Sequence, residues 1–473
     1  MTSVDTHLNE QTPDPAAMRA QMSFDSGPRK IGVEIEYHMQ DLQEGGGPAR
    51  DARVLALKAA LREKHHIEVD DEIAAHMIEV KTKAYELPDV KTLLSEIARL
   101  QGAVMEEALR LGLKPVPFGN MAGLTKERAL ENLISATNED PTRGARTRVM
   151  MQALRDSGQD HLINYPLLNV SAQVSVSAKD PDHLFAMVRR HNVLLPFLFT
   201  LFHNRPPAFY AQGNKIKEHS GIADRALMGN RGLIPASLAL SENGESYIKN
   251  HLSRVFNRPM FAYVDCRGEF TAAAKGEIIT MESLREKGLA TRTNALLSQS
   301  MDWHSVKMKT IPGTTHMRAE MRDMDMAGHA AASLTIINAL MNMDDECGLA
   351  VDRLLAGYSY PQAMRAIANT LHLDMKRVQA QGTAFMKQPY GGGHMDRFAQ
   401  DFMTTILPYA QKHDLLADIE PLRHACDTGM TEAKALDQLL KTPDDVARYQ
   451  REYDPELVSN PRRSLALALA PKP

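Results

Sequence analysis

The chain has 473 residues, 43% of them hydrophobic and 24% charged, with a formal net charge of −4. This fits one large or two ordinary globular domains with a substantial core, and the lack of a basic excess argues against a nucleic-acid surface. The three widely spaced cysteines, Cys266, Cys347 and Cys426, argue against a disulfide framework and fit a reducing cytoplasmic compartment.

Residues 1–28 are polar and lack the apolar run of a signal peptide, so a disordered arm is expected there. IGVEIEYHM (31–39) reads as a strand and GGGPARD (45–51) as a loop, followed by a helix through ALKAALREKH. IAAHMIEVKT (73–82) alternates as a second strand. Pro88-Asp89 opens a helix with an apolar stripe at Leu93, Leu94, Ile97, Leu100, Val104 and Leu111, ending at Gly112. LLNVSAQVSVSAKD (167–180) alternates as a third strand, and the buried helix DPDHLFAMVRRHNVLLPFLFTLF follows, capped by Asp180 or Asp182. MFAYVD (260–265) and HMRAEMRDMD (316–325) are further strands. Beyond them the pattern is helical, clearest in AASLTIINALM, AVDRLLAGY, PQAMRAIANTL and EAKALDQLL.

No stretch approaches the roughly 20 apolar residues of a membrane span, so no membrane partner is expected. There is no internal repeat, no regular βαβ period and no Gly-rich dinucleotide loop. The expected fold is α+β around a largely antiparallel sheet. Residues 29–330 would form the sheet domain with helical insertions, 331–460 a helical part packed on it, and 461–473 a loose tail.

The strands share a polar face. Residues i and i+2 of a strand point the same way. Glu34 and Glu36 therefore crowd like charges on one face of the first strand, and Gln173 and Ser175 share a face of the third. His316, Arg318, Glu320 and Arg322 share a face of the last, while Glu79 opposes the apolar face of the second. Magnesium takes hard oxygen ligands, and Glu34, Glu36, Glu79 and Glu320 could supply them. The arginines suit phosphate or a substrate carboxylate. Taken together these groups suggest phosphoryl transfer from a nucleotide. An isolated E-x-E strand more often marks a solvated face, and an E-x-R strand a cross-strand salt bridge. Composition and spacing leave both readings open.

Taken in order along the chain, the motifs resemble those of the glutamate–cysteine ligase family, more its plant and proteobacterial branch. IGVEIEY is similar to the family's first strand, and SAQVSVSAKD to its Q-V-N-x-D strand. NRGLIP (230–235) resembles an R-x-G-x-x-P element. SYIKNHLSRVFNRPMFAYVDCRGEF resembles the family's segment in which a Tyr and a Leu precede a Pro-Met pair. MDWHSVKMKTIPGTTHMRAEMRDMD resembles a D-W-x-x-H segment leading into an E-x-R-x-x-D strand, and DIEPLRHACDTGMTEAKALDQLL the helical end. The matches span about residues 30–440.

The resemblance implies a glutamine-synthetase-like fold, with a curved antiparallel sheet forming the active-site cup. It implies ATP and Mg2+, an acyl phosphate on the γ-carboxylate of glutamate, and transfer to the amine of cysteine, the first step of glutathione synthesis. Carried over, Glu34, Glu36, Glu79 and Glu320 would hold metal. Gln173, Ser175, Arg318 and Arg231 would line the nucleotide site. Arg231 and Arg322 would hold phosphate or substrate carboxylate. The partners implied are small molecules, namely amino acids and ATP.

The sequence departs from the family pattern in places. Ser220 and Arg225 are spaced differently from the usual S-x-R, the aromatic residue that follows it is missing, Asp323 replaces a Gly, and Ser175 stands where Asn is usual. These changes keep open a different amine or donor acid, and also a catalytically silent homologue that acts as a binding protein. KQPYGGGHMDR (387–397) could be a mobile lid or phosphate loop, or only a connection between helices. His65, His66 and His76 could bind metal but are more often surface or core residues, and Cys266 reads as a structural thiol.

Overall fold

The computed structural model describes residues 14–24, 27–43, 46–119, 121, 124, 126–134, 144–156, 169–202, 238, 240–274, 277–301, 306–311, 314–322, 328–356, 395–429, 436 and 440–452. Eleven strands are assigned among them, of which nine join one sheet. They are β1 (Lys30–Asp41), β2 (Gly47–Pro48), β3 (Val69–Asp71), β4 (Met77–Lys81), β5 (Tyr85–Glu86), β6 (Leu113–Pro115), β7 (Ser171–Ser177), β8 (Ala262–Val264), β9 (Phe270–Ala272), β10 (Val306–Ile311) and β11 (Thr314–Arg322).

The main sheet runs β10-β11-β7-β1-β4-β3, with β2, β5 and β6 pairing along β1. Every pairing is antiparallel. The expected α+β fold around an antiparallel sheet is therefore the one observed.

Period-two alternation gives the sheet two unlike faces. Ile31, Val33, Ile35, Tyr37 and Met39 of β1, Ile78 and Val80 of β4, Val174 and Val176 of β7, and Val306 and Met308 of β10 are buried in the core. Three helices cover this face: Val90–Arg110, Pro181–Phe202 and Gly328–Met343. In the first, Val90, Leu93, Ile97, Leu100, Val104 and Ala108 recur every three or four residues and bury one stripe. The chain leaves that helix through Gly112 at φ +69, where an added Cβ would lie 2.8 Å from the Gln43 amide nitrogen. Gly328–Met343 is buried on nearly every side. Its Thr335 and Asn338 side chains are satisfied by the carbonyls of Ala331 and Leu334, at 2.7 and 2.8 Å.

Several elements differ from expectation. Within residues 1–28, Pro15–Gln21 is a helix, not a disordered arm. Asp14 caps it, Pro15 opens it, Met18 is buried, and Arg19 pairs with Glu245 on the helix Gly244–Asn257. The strand expected at 73–82 starts only at Met77, and β3 is its hairpin partner. MFAYVD forms β8, which pairs with β9 outside the main sheet. Asn294 satisfies its other edge, accepting from Val264 N at 2.6 Å and donating to Val264 O at 2.9 Å.

The helical C-terminal part includes Asp345–Ala356, Met395–Lys412, Glu420–Thr428 and Pro443–Glu452. The last of these docks at the end of β1, where Gln40 donates to Gln450 O at 2.8 Å and Lys114 to Arg451 O at 3.0 Å. PQAMRAIANTL, the tail 461–473 and the glycine loop through His394 lie outside the described residues. Among the described residues no helix is long and apolar enough to cross a membrane.

Candidate active site

Directly paired residues of antiparallel strands share a face. On the polar face of the sheet the register therefore forms rows. Glu320, Gln173, Glu34 and Lys81 occupy one row across β11, β7, β1 and β4. Arg322 pairs with Ser171, and Glu36 with Glu79, which in turn pairs with Asp70. Arg318 pairs with Ser175, which pairs with Gly32, and Lys307 pairs with Arg318 on the outer side. Eight residues expected at the site, Glu34, Glu36, Glu79, Gln173, Ser175, Arg318, Glu320 and Arg322, thus have positions on one face. For β11 the backbone register is described and the side chains are not. Arg231 lies outside the described residues.

Glu36 is 3% exposed and oriented on every side that is described. Its Oε2 accepts from Ser171 N at 2.8 Å and from the Ser171 hydroxyl at 3.0 Å, and its Oε1 accepts from Gln173 Nε2. Carboxylate oxygens of Glu36, Glu72 and Glu79 all lie within 4.8 Å of one another. Three like charges at that separation repel strongly where water is scarce.

Lys81 offsets part of this charge. Its Nζ lies 3.1 Å from Glu79 Oε1 and 2.5 Å from Asp70 Oδ2. Burial pulls the Lys81 ammonium down, but the Glu79, Asp70 and Glu34 carboxylates outweigh it and hold the group firmly charged. One ammonium still leaves this corner acidic.

A divalent magnesium ion fits the donor set. The three clustered groups are hard oxygen donors, which magnesium prefers. Ser171 and Gln173 fix the orientation of Glu36, as outer partners of metal ligands do. Gln173 Oε1, on a side chain 1% exposed, has no hydrogen-bond partner among the described residues, so a further buried oxygen stands beside the cluster.

Glu34 is placed differently from Glu36. It lies 3.6 Å from Lys309 Nζ, across the two strands that separate β1 from β10. On a flat sheet those strands would stand about 14 Å apart, and Lys309 sits in the row of His316 and Ser177, four residues along β7 from the Gln173 row of Glu34, so the two side chains could not meet across both offsets. The polar face is therefore concave.

The histidines considered from sequence sit elsewhere or do other work. His65 pairs with Glu107 at 3.0 Å, and His66 ends a helix at φ 54. His76 is fully buried and stacks on His38 with ring centroids 5.2 Å apart. Its Nδ1 accepts from Asn132 at 3.0 Å, and burial holds its pKa well below the usual histidine value. Cys266 is exposed.

Sequence reasoning missed Glu72, Ser171, Lys81 and Lys309. Glu72 had a signal: it ends the acidic run Asp70-Asp71-Glu72 in the turn leading toward the strand that carries Glu79. Ser171 is two residues from Gln173, on the same strand face.

The sequence matches no protein-family model and no curated protein. Solved structures do match. Glutamate–cysteine ligase from Francisella tularensis, in complex with AMP, aligns over 95% of this chain and 94% of that chain, with a TM-score of 0.52 and 12% identity. A bifunctional glutathione synthetase from Pasteurella multocida aligns over 89% of this chain and 52% of that chain, with a TM-score of 0.48 and 12% identity. The complex of the prokaryotic ubiquitin-like protein Pup with its ligase aligns over 89% and 72%, with a TM-score of 0.41 and 8% identity. At such identities the likeness is one of fold. Over nearly its whole length, this chain shares the fold of the Francisella tularensis glutamate–cysteine ligase.

Proposed function

We propose that this protein is an ATP-dependent carbon–nitrogen ligase that activates the γ-carboxylate of glutamate as an acyl phosphate and passes it to an amine, with cysteine the first acceptor to test. One observation carries the reading: Glu36, Glu72 and Glu79 converge on a concave polar face whose register also includes Glu34, Gln173, Glu320, Arg318 and Arg322. The shared ligase fold supports it.

A carboxylate is a poor electrophile, and phosphorylation makes its carbonyl carbon open to attack by an amine. Two anions, the donor carboxylate and the nucleotide phosphate, must then meet. Magnesium, held by Glu36, Glu72 and Glu79 with Glu34 and Glu320 in the neighbouring row, would supply charge neutralisation for phosphoryl transfer. Ser171 and Gln173 keep Glu36 aimed. Arg318 and Arg322 occupy positions suited to the phosphoryl oxygens or the donor carboxylate. A concave face lets the site exclude water, which protects an acyl phosphate from hydrolysis.

The test is ADP release from purified protein with MgATP and glutamate, against a panel of amines that includes cysteine. Turnover with cysteine well above the rest supports the full reading. Turnover with another amine keeps the chemistry and changes the acceptor. No ADP release with any amine overturns the reading for glutamate as donor.

A further inference from the structure

Strand β10 carries two lysines that the ligase reading does not use. Val306 and Met308 are buried in the core, so period-two alternation puts Lys307 and Lys309 on the polar face. Lys307 is 9% exposed and its partner in register is Arg318; Lys309 is paired with His316. The face carries both signs unevenly. Acids predominate on its β1-β4-β3 side, where Glu36, Glu72, Glu79 and Asp70 surround Lys81, and cations on its β10-β11 side, where Lys307, Lys309, Arg318 and Arg322 accompany Glu320.

Lys309 Nζ approaches Glu34 Oε1 to 3.6 Å, beyond the 2.7–3.2 Å of an ordinary N–H···O hydrogen bond. This contact places the ammonium over the polar face beside Glu34. Holding a long lysine side chain over a half-buried face costs rotamer entropy and hydration. An anion that bridges the two sides would gain from both. A triphosphate does so: its oxygens can share a metal with the carboxylates at one end and meet an ammonium at the other.

We propose that Lys309 is a phosphate-binding residue, which neutralises Glu34 in the free protein and contacts the polyphosphate of a bound nucleoside triphosphate. This rests on the ligase reading.

The experiment measures binding of a non-hydrolysable ATP analogue and of AMP, each with magnesium, by calorimetry on the full chain. Wild type, Lys309→Met and Lys309→Arg are compared. Lys309→Met is expected to weaken the triphosphate roughly tenfold or more. AMP should change by less than about twofold, and Lys309→Arg should restore most of the lost affinity. Triphosphate affinity unchanged in Lys309→Met overturns the proposal, as does an equal loss for AMP. A fall in glutamate affinity with triphosphate binding intact overturns it too, because the lysine would then serve the donor acid. If wild type binds the AMP but no triphosphate, the ligase reading itself falls. Lys309→Arg also guards against misfolding, since a fold defect in Lys309→Met would not be repaired selectively for triphosphate.

Discussion

Both donors of Ser171, its backbone N–H and its hydroxyl, are directed at Oε2 of Glu36, at 2.8 and 3.0 Å. Glu36 therefore ties β1 to β7 as well as facing the candidate metal position. Replacing it with Ala orphans both Ser171 donors in a buried place and leaves the Gln173 amide only its bond to Ser171 Oγ at 3.1 Å. Each orphaned donor costs about 1–3 kcal/mol, partly offset by relief of repulsion from Glu72 and Glu79. Glu36→Ala should abolish ADP release and also lower unfolding stability by about 2 kcal/mol in urea titrations. Full activity in that variant would remove Glu36 from the chemistry.

Glu72 has no counterpart in the sequence-level site, yet its carboxylate lies within 4.8 Å of Glu36 and Glu79. Glu72→Gln keeps the shape and removes one charge. The magnesium concentration giving half-maximal ADP release should rise roughly tenfold or more, with the melting temperature little changed. An unaltered magnesium dependence would return Glu72 to an ordinary turn residue.

The polar face was legible because alternation is local. Glu34, Glu36, Glu79, Gln173 and Glu320 could be assigned to it from spacing alone. Which of them meet was not, because that depends on register and curvature. Glu34 and Glu36, two residues apart, separate toward Lys309 and toward Glu72 and Glu79. The hairpin partners β3 and β10 were missed for different reasons. Val69–Asp71 is too short and acidic to read as a strand. In Val306–Ile311, the alternation of Val and Met with Lys follows a D-W-x-x-H segment that drew the reading instead. The helix Pro15–Gln21 has seven residues, too few for a periodic stripe, although its Asp-Pro opening was visible.

Away from the site, the Arg190 guanidinium forks onto both oxygens of Asp352, at 3.0 and 2.7 Å, and reaches Met341 O at 2.7 Å. This ties the helix Pro181–Phe202 to the two helices on either side of Asp344. Asp352→Ala leaves a nearly buried cation unpaired and should cost about 3 kcal/mol in urea unfolding. Gly348 leaves room for the fork, since an added Cβ would lie 2.8 Å from Met341 O and 3.0 Å from Arg190 Nη2. Gly348→Ala should therefore destabilise by about 1–3 kcal/mol, despite helix propensity favouring Ala. A gain in stability would show that the helices part at little cost.

Acid should weaken the fold through buried neutral histidines. His183 Nδ1 accepts from Lys179 N at 3.3 Å while its Nε2 donates to Asn342 O at 3.0 Å, so a second ring proton would meet a donor. Burial, with Arg29 and Lys179 nearby, pulls its pKa down to about 4. His191 Nε2 accepts from Asn342 Nδ2 at 2.8 Å, and burial with Arg190 nearby pulls it down to about 3. The unfolded chain takes up protons near pH 6.5, whereas these folded sites do not. Their stabilisation is thus complete above about pH 6.5 and is lost as pH falls toward the folded values. Between pH 6.5 and 5 the loss should be on the order of 2 kcal/mol per histidine. Urea unfolding across that range measures it, and His183→Gln, with a side chain that can still donate and accept, should flatten the slope by about one histidine's share. An unchanged slope in His183→Gln would mean that His183 takes up its proton in the folded state as readily as in the unfolded chain.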